Sequence, residues 1–196
     1  LISIVGEFHH PYLGSFILDD NDQYSPFTQL QITGEWREYK ALPWGENHVL
    51  AIKAAGGASA GDGQRYGSFR LGGSFGESGY YTLPDEWRSV RGYSPAARDG
   101  NSYYLASAEY RLPLFWVDRG YQWAPLFFRN VSAATFVDVG NAFDDFTDIS
   151  LVPMLGLGAE IRAKMIVSWG EPISLRSGYA FAPLGDGLPL GSIDGF

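Results

Sequence analysis

Long runs in which apolar and polar side chains alternate recur along this chain. The segments Gln29–Arg37, Leu155–Lys164 and Ile173–Phe181 all keep this two-residue period. Successive side chains of a β-strand point to opposite faces of the sheet, so a period of two predicts strands with one apolar and one polar face. The chain is therefore expected to be all-β.

The length of the alternating runs predicts which kind of β protein this is. Soluble sandwiches mostly use strands of about 5–6 residues, whereas a tilted strand that crosses a bilayer needs about 9–11. Most of the runs here are longer than either, which favours an antiparallel transmembrane β-barrel over an aromatic-rich soluble β core. Eight strands are predicted, at Ile2–Gly14, Phe27–Leu42, His48–Ser59, Ser102–Leu114, Val131–Phe143, Met154–Val167, Ile173–Pro183 and Leu190–Phe196.

Composition supports this interpretation and excludes several classes. Aromatic residues make up 16% of the chain and there are 25 glycines, which is typical of β proteins with tight turns. The net charge of −8 argues against nucleic acid as a partner, and the absence of cysteine excludes disulfides. No run of 18 apolar residues is present, so no transmembrane helix is predicted. Because the chain starts at Leu1 without a signal peptide, we expect a processed chain or a fragment.

The predicted connections alternate in length. Outer-membrane barrels have short periplasmic turns and longer extracellular loops. One predicted connection, Phe115–Asn130, does not fit, because it is long yet falls on the periplasmic side. The short turns are Pro43–Asn47 and Ser168–Pro172, and the long polar connections are Ser15–Pro26, Ala60–Asn101 and Asp144–Pro153.

The longest connection, Ala60–Asn101, contains the tetrapeptide Val90-Arg91-Gly92-Tyr93. The alternation of the next two strands places Glu109 and Asp138 on the polar, inward faces of those strands. A buried carboxylate needs a cationic partner, and the planar guanidinium of an arginine can bind carboxylate with two parallel hydrogen bonds. Two interpretations remain open at this point: the carboxylates bind an arginine from the loop, or they line a wet channel.

Motifs that carry chemistry are weak in this chain. Gly72–Gly76 matches the G-x-S-x-G pattern of hydrolases, but no helical pattern follows it and no histidine lies downstream. His9 and His10 are adjacent and would point to opposite faces of a strand, and Asp19–Asp22 lacks the glycine and distal glutamate of a calcium loop. We therefore expect no catalytic residue, no metal and no cofactor.

Five segments in order give the chain a resemblance to a known family. It resembles the barrel of the outer-membrane assembly-factor superfamily, the BamA/TamA type also described as the bacterial surface antigen barrel. The resemblance implies a barrel of sixteen strands, of which this chain would supply strands nine to sixteen as a single domain over residues 1–196. The segments are Phe69–Gly73, Val90–Tyr93, Ala108–Pro113, Phe136–Phe143 and Leu175–Tyr179.

The resemblance also implies roles for particular residues. The loop at residues 60–101 would fold into the barrel lumen, where Arg91, flanked by Val90, Gly92 and Tyr93, would pair with Glu109 and Asp138. Family chains end in a strand with a terminal aromatic residue that acts as an assembly signal, which Gly191 and Phe196 fit. Asp194 and Pro189 depart from that pattern, which weakens the signal or loosens the last strand.

The function implied by the resemblance is insertion or translocation of proteins at a bacterial or organelle outer membrane, without chemistry. The implied partners are outer-membrane lipids, unfolded β-barrel substrates, and periplasmic or lipoprotein partners. One alternative is a passive membrane anchor for an upstream domain that carries the activity. Another is an autonomous eight-stranded barrel, but such a barrel is filled by its own side chains and leaves no room for the long loop.

Overall fold

A computed structural model describes residues 1–18, 24–61, 69–73, 89–120, 126–144, 152–167 and 170–184, and almost all of them lie in or between β-strands. A short 3-10 helix covers Pro11–Leu13. The strands, in chain order, are β1 (Ile2–His9), β2 (Phe16–Leu18), β3 (Tyr24–Pro26), β4 (Gln29–Ala41), β5 (Val49–Gly61), β6 (Phe69–Leu71), β7 (Arg98–Gly100), β8 (Ser102–Gly120), β9 (Leu126–Phe143), β10 (Met154–Val167) and β11 (Glu171–Leu184).

Within these residues, seven strands form one antiparallel sheet in the order β1-β4-β5-β8-β9-β10-β11. Two further strand pairs are separate from this sheet, β2 with β3 and β6 with β7. Strands β8 and β9 have 19 and 18 residues, well beyond the length of about 5–6 that is common in soluble proteins. The predicted all-β antiparallel class is confirmed.

No helix in the described part of the chain has the length and apolarity required to cross a membrane.

The first predicted strand, Ile2–Gly14, was too long at its C-terminal end. Strand β1 ends at His9, and Pro11 then starts the 3-10 helix. A proline has no N–H to donate to a β ladder, but its fixed φ suits the first position of a helical turn. Gly14 ends the turn with φ of 82°, a left-handed conformation that favours glycine.

The prediction of a long periplasmic connection at Phe115–Asn130 was wrong. Strand β8 continues to Gly120 and β9 begins at Leu126, so only residues 121–125, which lie outside the described residues, separate them. Two register shifts, between Pro113 and Phe115 and between Trp116 and Arg119, break the alternation on which the sequence prediction depended. Strands β8 and β9 therefore remain paired through this segment, although the sequence there does not alternate.

Several predictions fall outside the described residues. The predicted eighth strand, Leu190–Phe196, lies there, as do Gly191 and Phe196 themselves. The acidic segment at 19–22 and residues 62–68 and 74–88 of the long loop also lie there, so the Gly72–Gly76 match is described only in part.

The two faces of the sheet differ in character. One face carries exposed apolar side chains on successive strands, among them Ile32 on β4, Val137 on β9 and Ile161 on β10, which is 53% exposed. Contiguous exposed apolar surface of this extent is rare on soluble monomers. An apolar band facing outward is what a strand surface in contact with lipid carries. This surface is called the outer face below.

The opposite, inner face is covered by the loop that contains β6, β7 and the tetrapeptide. A buried cluster joins the loop to the sheet: Phe69, Leu71, Val90 and Tyr93 from the loop pack with Tyr103 and Leu105 of β8, Ala142 of β9 and Met154 of β10. Phe69 and Tyr103 have ring centroids 4.6 Å apart. The core of the described structure thus lies between the sheet and its own loop.

A charge on the outer face tests the expected contact with lipid. Val137→Arg should lower the free energy of unfolding from a bilayer by about 2–4 kcal/mol, because a guanidinium at mid-membrane depth is poorly solvated. Val137→Ala is the control and should cost much less, since it stays apolar. Urea titration of the protein refolded into lipid vesicles gives both values, and an arginine variant as stable as the alanine variant would contradict the assignment of this face.

Candidate functional site

The tetrapeptide Val90–Tyr93 is fixed by contacts with the first described part of the same loop. The Val90 N–H donates to the carbonyl oxygen of Gly72 at 2.6 Å, and the Gly73 N–H donates to that of Ser94 at 3.1 Å. Val90 itself is fully buried. These bonds join two loop segments that are far apart in sequence, and they hold the tetrapeptide against the inner face.

The Arg91 guanidinium binds the carboxylate of Asp138 through two parallel hydrogen bonds. Arg91 Nε lies 2.7 Å from Asp138 Oδ2, and Nη2 lies 2.8 Å from Oδ1. The Arg91 backbone N–H also donates to Oδ2, at 3.2 Å. Charge-assisted pairs of this two-pronged form are among the strongest hydrogen bonds in proteins. Because the Asp138 side chain is only 1% exposed, its charge depends on these donors.

Further contacts surround the guanidinium. Arg91 Nη1 donates to Glu109 Oε2 at 3.0 Å, and the Arg91 guanidinium carbon lies 3.5 Å from the centre of the Phe136 ring. Ser107 donates its hydroxyl to Asp138 Oδ1 at 2.6 Å and accepts from Arg91 Nη2 at 3.4 Å. Every edge of the guanidinium thus meets an acceptor, and its flat face meets an aromatic ring.

The register of the sheet explains why these groups meet. Asp138 on β9 lies directly opposite Ser107 on β8, and Glu109 lies two residues further along β8. Since residues two apart on a strand share a face, both carboxylates project into the same space on the inner face. The six residues expected from the sequence and the resemblance, Val90 to Tyr93 with Glu109 and Asp138, are brought together here.

Burial alone lowers the pKa of the Arg91 guanidinium, but Asp138 and then Glu109 raise it above its ordinary value through hydrogen bonds and charge. Arg91 therefore remains a cation throughout the physiological pH range.

A longer network of charges, which sequence analysis missed, continues from Glu109 across the sheet. Arg111 donates to Glu109 Oε1, and Arg162 Nη2 on β10 lies 2.9 Å from the same oxygen. Arg162 also pairs with Glu160, whose other oxygen lies 3.0 Å from Nη2 of Arg176 on β11. Within the described residues, each of these two glutamates is therefore shared between arginines of different strands.

The position of Glu160 offsets a like-charge contact. Arg162 and Arg176 are directly opposite each other on β10 and β11, an arrangement that is destabilising by itself. A carboxylate on the same face that binds both guanidinium groups removes much of that repulsion. The alternation of β10 placed Glu160 and Arg162 on one face, but only the register with β11 shows that Arg176 joins them.

Two positions lack a side chain because the tetrapeptide lies so close to the sheet. A Cβ at Gly156 on β10 would lie 2.1 Å from the Arg91 carbonyl oxygen, a backbone atom that cannot turn aside. Gly92 has φ of 98° and lies against the backbone of Phe181 on β11. The absence of side chains at Gly92 and Gly156 therefore lets the Arg91 backbone lie close to the sheet that carries Asp138 and Glu109.

The end of the loop is anchored separately. Arg98 Nη1 donates to Asn141 Oδ1 at 2.6 Å and to the Val152 carbonyl oxygen at 2.7 Å. The Asn101 N–H donates to Asp144 Oδ1 at 3.0 Å. These bonds fix the first residue of β7 and the residue that follows the strand, so the tetrapeptide lies between two anchored segments.

The arrangement is suited to holding a loop in place. Its charged groups are bound to one another, and the backbone around them is packed. The histidines lie elsewhere: the His10 N–H donates to Ser15 and its Nδ1 accepts from the Tyr12 N–H, and His48 Nδ1 lies 2.6 Å from the Tyr110 hydroxyl. His9, which lies 3.9 Å from Glu7, is also outside the arginine and carboxylate cluster.

Removing the charge of Asp138 should destabilise the folded protein strongly. Asp138→Asn is expected to lower the free energy of unfolding by about 3 kcal/mol, because it breaks a buried ion pair at one partner only. Glu7→Gln on the inner face is the control, since the Glu7–His9 pair is exposed and should contribute less than about 1 kcal/mol. Equal losses in a denaturant titration would contradict the assignment of Asp138 as the principal partner of Arg91.

The close approach at Gly156 gives a second test. Gly156→Ala should cost about 1–3 kcal/mol in unfolding free energy, because the new methyl group displaces the Arg91 carbonyl. Gly34→Ala on β4 is the matched control: among the described residues nothing lies within 4 Å of the added Cβ. If both alanine variants unfolded at the same denaturant concentration, the contact between Arg91 and Gly156 would not constrain the fold.

Comparison with known proteins adds one match. A family model described as the Omp85 superfamily domain matches residues 16–185, most of the chain. The matched region includes the tetrapeptide, both carboxylates and all strands from β2 to β11. No curated protein matches this sequence.

Proposed function

Because this chain belongs to the Omp85 superfamily, whose members assemble or translocate proteins at outer membranes, we propose that it helps to insert or translocate proteins there. The outer membrane concerned is that of a bacterium or an organelle. The chain would act without covalent chemistry, through the pairing of its strands and the position of its loop.

The observation that carries this proposal is the docking of the Val90–Tyr93 loop on the inner face of a sheet of long strands. A barrel that only anchors a domain needs a stable wall, and its interior can be filled by side chains from the strands. Here the inner face instead provides two buried carboxylates for an arginine of a loop. We propose that this contact is a latch that fixes the loop inside the barrel lumen.

We further propose that the seven strands, together with a strand near residues 190–196, are strands nine to sixteen of a sixteen-stranded barrel. The support for this is the order of the strands and the resemblance of the motifs described above. The loop at residues 60–101 would then occupy the lumen between the two halves of the barrel. Val90 packs in the cluster that joins the loop to the sheet, so this cluster would help the latch to hold the loop there.

The proposed mechanism relies on main-chain hydrogen bonding. A strand at the edge of a sheet presents unpaired N–H and C=O groups, to which an extended segment of another chain can pair. A barrel whose closing seam opens offers such an edge within the membrane. Unfolded β-barrel proteins would be the substrates, periplasmic or lipoprotein partners would deliver them, and lipids would contact the outer face.

Substitution of Arg91 in the full-length protein tests the latch. Arg91→Ala should lower the unfolding free energy by about 3 kcal/mol and reduce the assembly of substrate barrels, because both buried carboxylates lose their shared partner. Arg91→Lys should give an intermediate effect, since lysine keeps the charge but not the planar fork. Heat-modifiable electrophoretic migration measures folding, and the amount of folded substrate per folded barrel measures assembly.

The outcomes distinguish the proposal from a passive anchor. If Arg91→Ala changed neither migration nor assembly, the latch would be wrong. If it lowered stability but left the amount of substrate assembled per folded barrel unchanged, the arginine would only stabilise an anchor, and the activity would belong to another part of the protein.

A further inference from the structure

The ladder between β10 and β11 is interrupted close to one end. The paired residues pass from Leu157 and Phe181 to Leu155 and Leu184, so β11 advances by three residues where β10 advances by two. Pro183 lies in this bulge and has no N–H to donate. The last pair, Leu155 and Leu184, is therefore separated from the regular ladder by a step at which hydrogen bonding is weakened.

The side chain of Tyr93 bridges the two strands at this pair. The Leu155 N–H donates to the Tyr93 hydroxyl at 3.0 Å, and the same hydroxyl donates to the carbonyl oxygen of Leu184. In a hydrogen-bonded antiparallel pair, an N–H and a C=O of this kind bind each other directly. Here a hydroxyl from the loop joins them, in the way that a bridging water would.

The hydroxyl can reach the ladder because of how the tetrapeptide crosses the sheet. Val90 packs beside Gly140 of β9, the Arg91 carbonyl lies over Gly156 of β10, and Gly92 lies against the backbone of β11. The Tyr93 ring is 3% exposed and packs in the cluster with Met154. A shift of the tetrapeptide away from the wall would withdraw the hydroxyl from both strands together.

We infer that Tyr93 is a positioning residue that makes the pairing of β10 with β11 at this end depend on the docking of Arg91. While Arg91 is bound to Asp138, the hydroxyl supplies the link that the bulge weakens. When the arginine is released, the Leu155 N–H and the Leu184 carbonyl lose their shared partner and this end of β11 separates more readily. The latch thereby influences the pairing at one end of β10 and β11, through the side chain of Tyr93. The inference goes beyond the proposed function, because it concerns the pairing of β10 with β11 and does not depend on which substrate protein is inserted or translocated.

Hydrogen exchange in the full-length protein, folded in lipid nanodiscs, tests this inference. Tyr93→Phe keeps the buried ring and removes only the hydroxyl, so exchange at the Leu155 amide should accelerate about tenfold, as expected for the loss of one hydrogen bond. Exchange at Ile161 in the middle of β10 should not change. Tyr104→Phe, the same chemical change on the opposite face of β8, is the control and should leave Leu155 unaffected.

The dependence on Arg91 is tested with a second variant. Arg91→Lys leaves Tyr93 intact, yet it should also accelerate exchange at Leu155, and the double variant with Tyr93→Phe should exchange no faster than the quicker of the two single variants. Additive effects, or no change at Leu155 in Arg91→Lys, would overturn the inference. So would unchanged exchange in Tyr93→Phe. If Tyr93→Phe failed to fold, Arg91→Lys would decide the question alone.

Because the readout is exchange at a backbone amide, it is independent of whether substrate proteins are assembled. Faster exchange together with normal assembly would uphold the positioning role of Tyr93 and count against the proposed function. Unchanged exchange at Leu155 together with impaired assembly would count against the positioning role of Tyr93 and leave the proposed function supported.

Discussion

The guanidinium of Arg91 is largely withdrawn from water, and the arrangement of the inner face follows from its need for hydrogen-bond acceptors. A cation in this position is tolerated only where acceptors surround it in the correct plane. Asp138 and Glu109 supply those acceptors from neighbouring strands, which requires β8 and β9 to keep one register. The loop must approach closely enough for contact, which requires a glycine at position 156. The register of β8 with β9 and the close approach of the loop are thus both required by the same cluster of charged side chains.

Further ion pairs connect this cluster to the neighbouring strands of the sheet. Glu109 also binds Arg111 and Arg162, and Glu160 links Arg162 to Arg176 on β11. A change at Glu109 or Glu160 removes a partner from arginines of two strands, so the cost is not confined to the site of substitution. The sheet thus has a polar inner face with shared carboxylates and an apolar outer face. This is the environment expected for an Omp85 barrel wall.

Much of the fold could be predicted because alternation determines which face each side chain occupies. Strand β10 was predicted with its observed limits, Met154–Val167, since alternation runs through most of it, from Leu155 to Lys164. Where bulges interrupt the pattern, as after Pro113, the same method ended β8 too early. Alternation also contains no information on register across strands. The contacts of Arg162 with Glu109 and of Tyr93 with Leu155 could therefore not be predicted, whereas the proximity of Arg91, Glu109 and Asp138 was implied by resemblance to a known family.

The missing side chain at Gly156 has a consequence for how sequences of this kind can diverge. The loop carbonyl occupies the volume that a methyl group would need, so no other residue fits unless the Arg91 backbone moves. A loop grafted from a relative would dock only if its backbone followed the same path across the wall. We therefore expect the tetrapeptide and the glycine to change only together, although 64 residues of intervening chain separate Arg91 from Gly156.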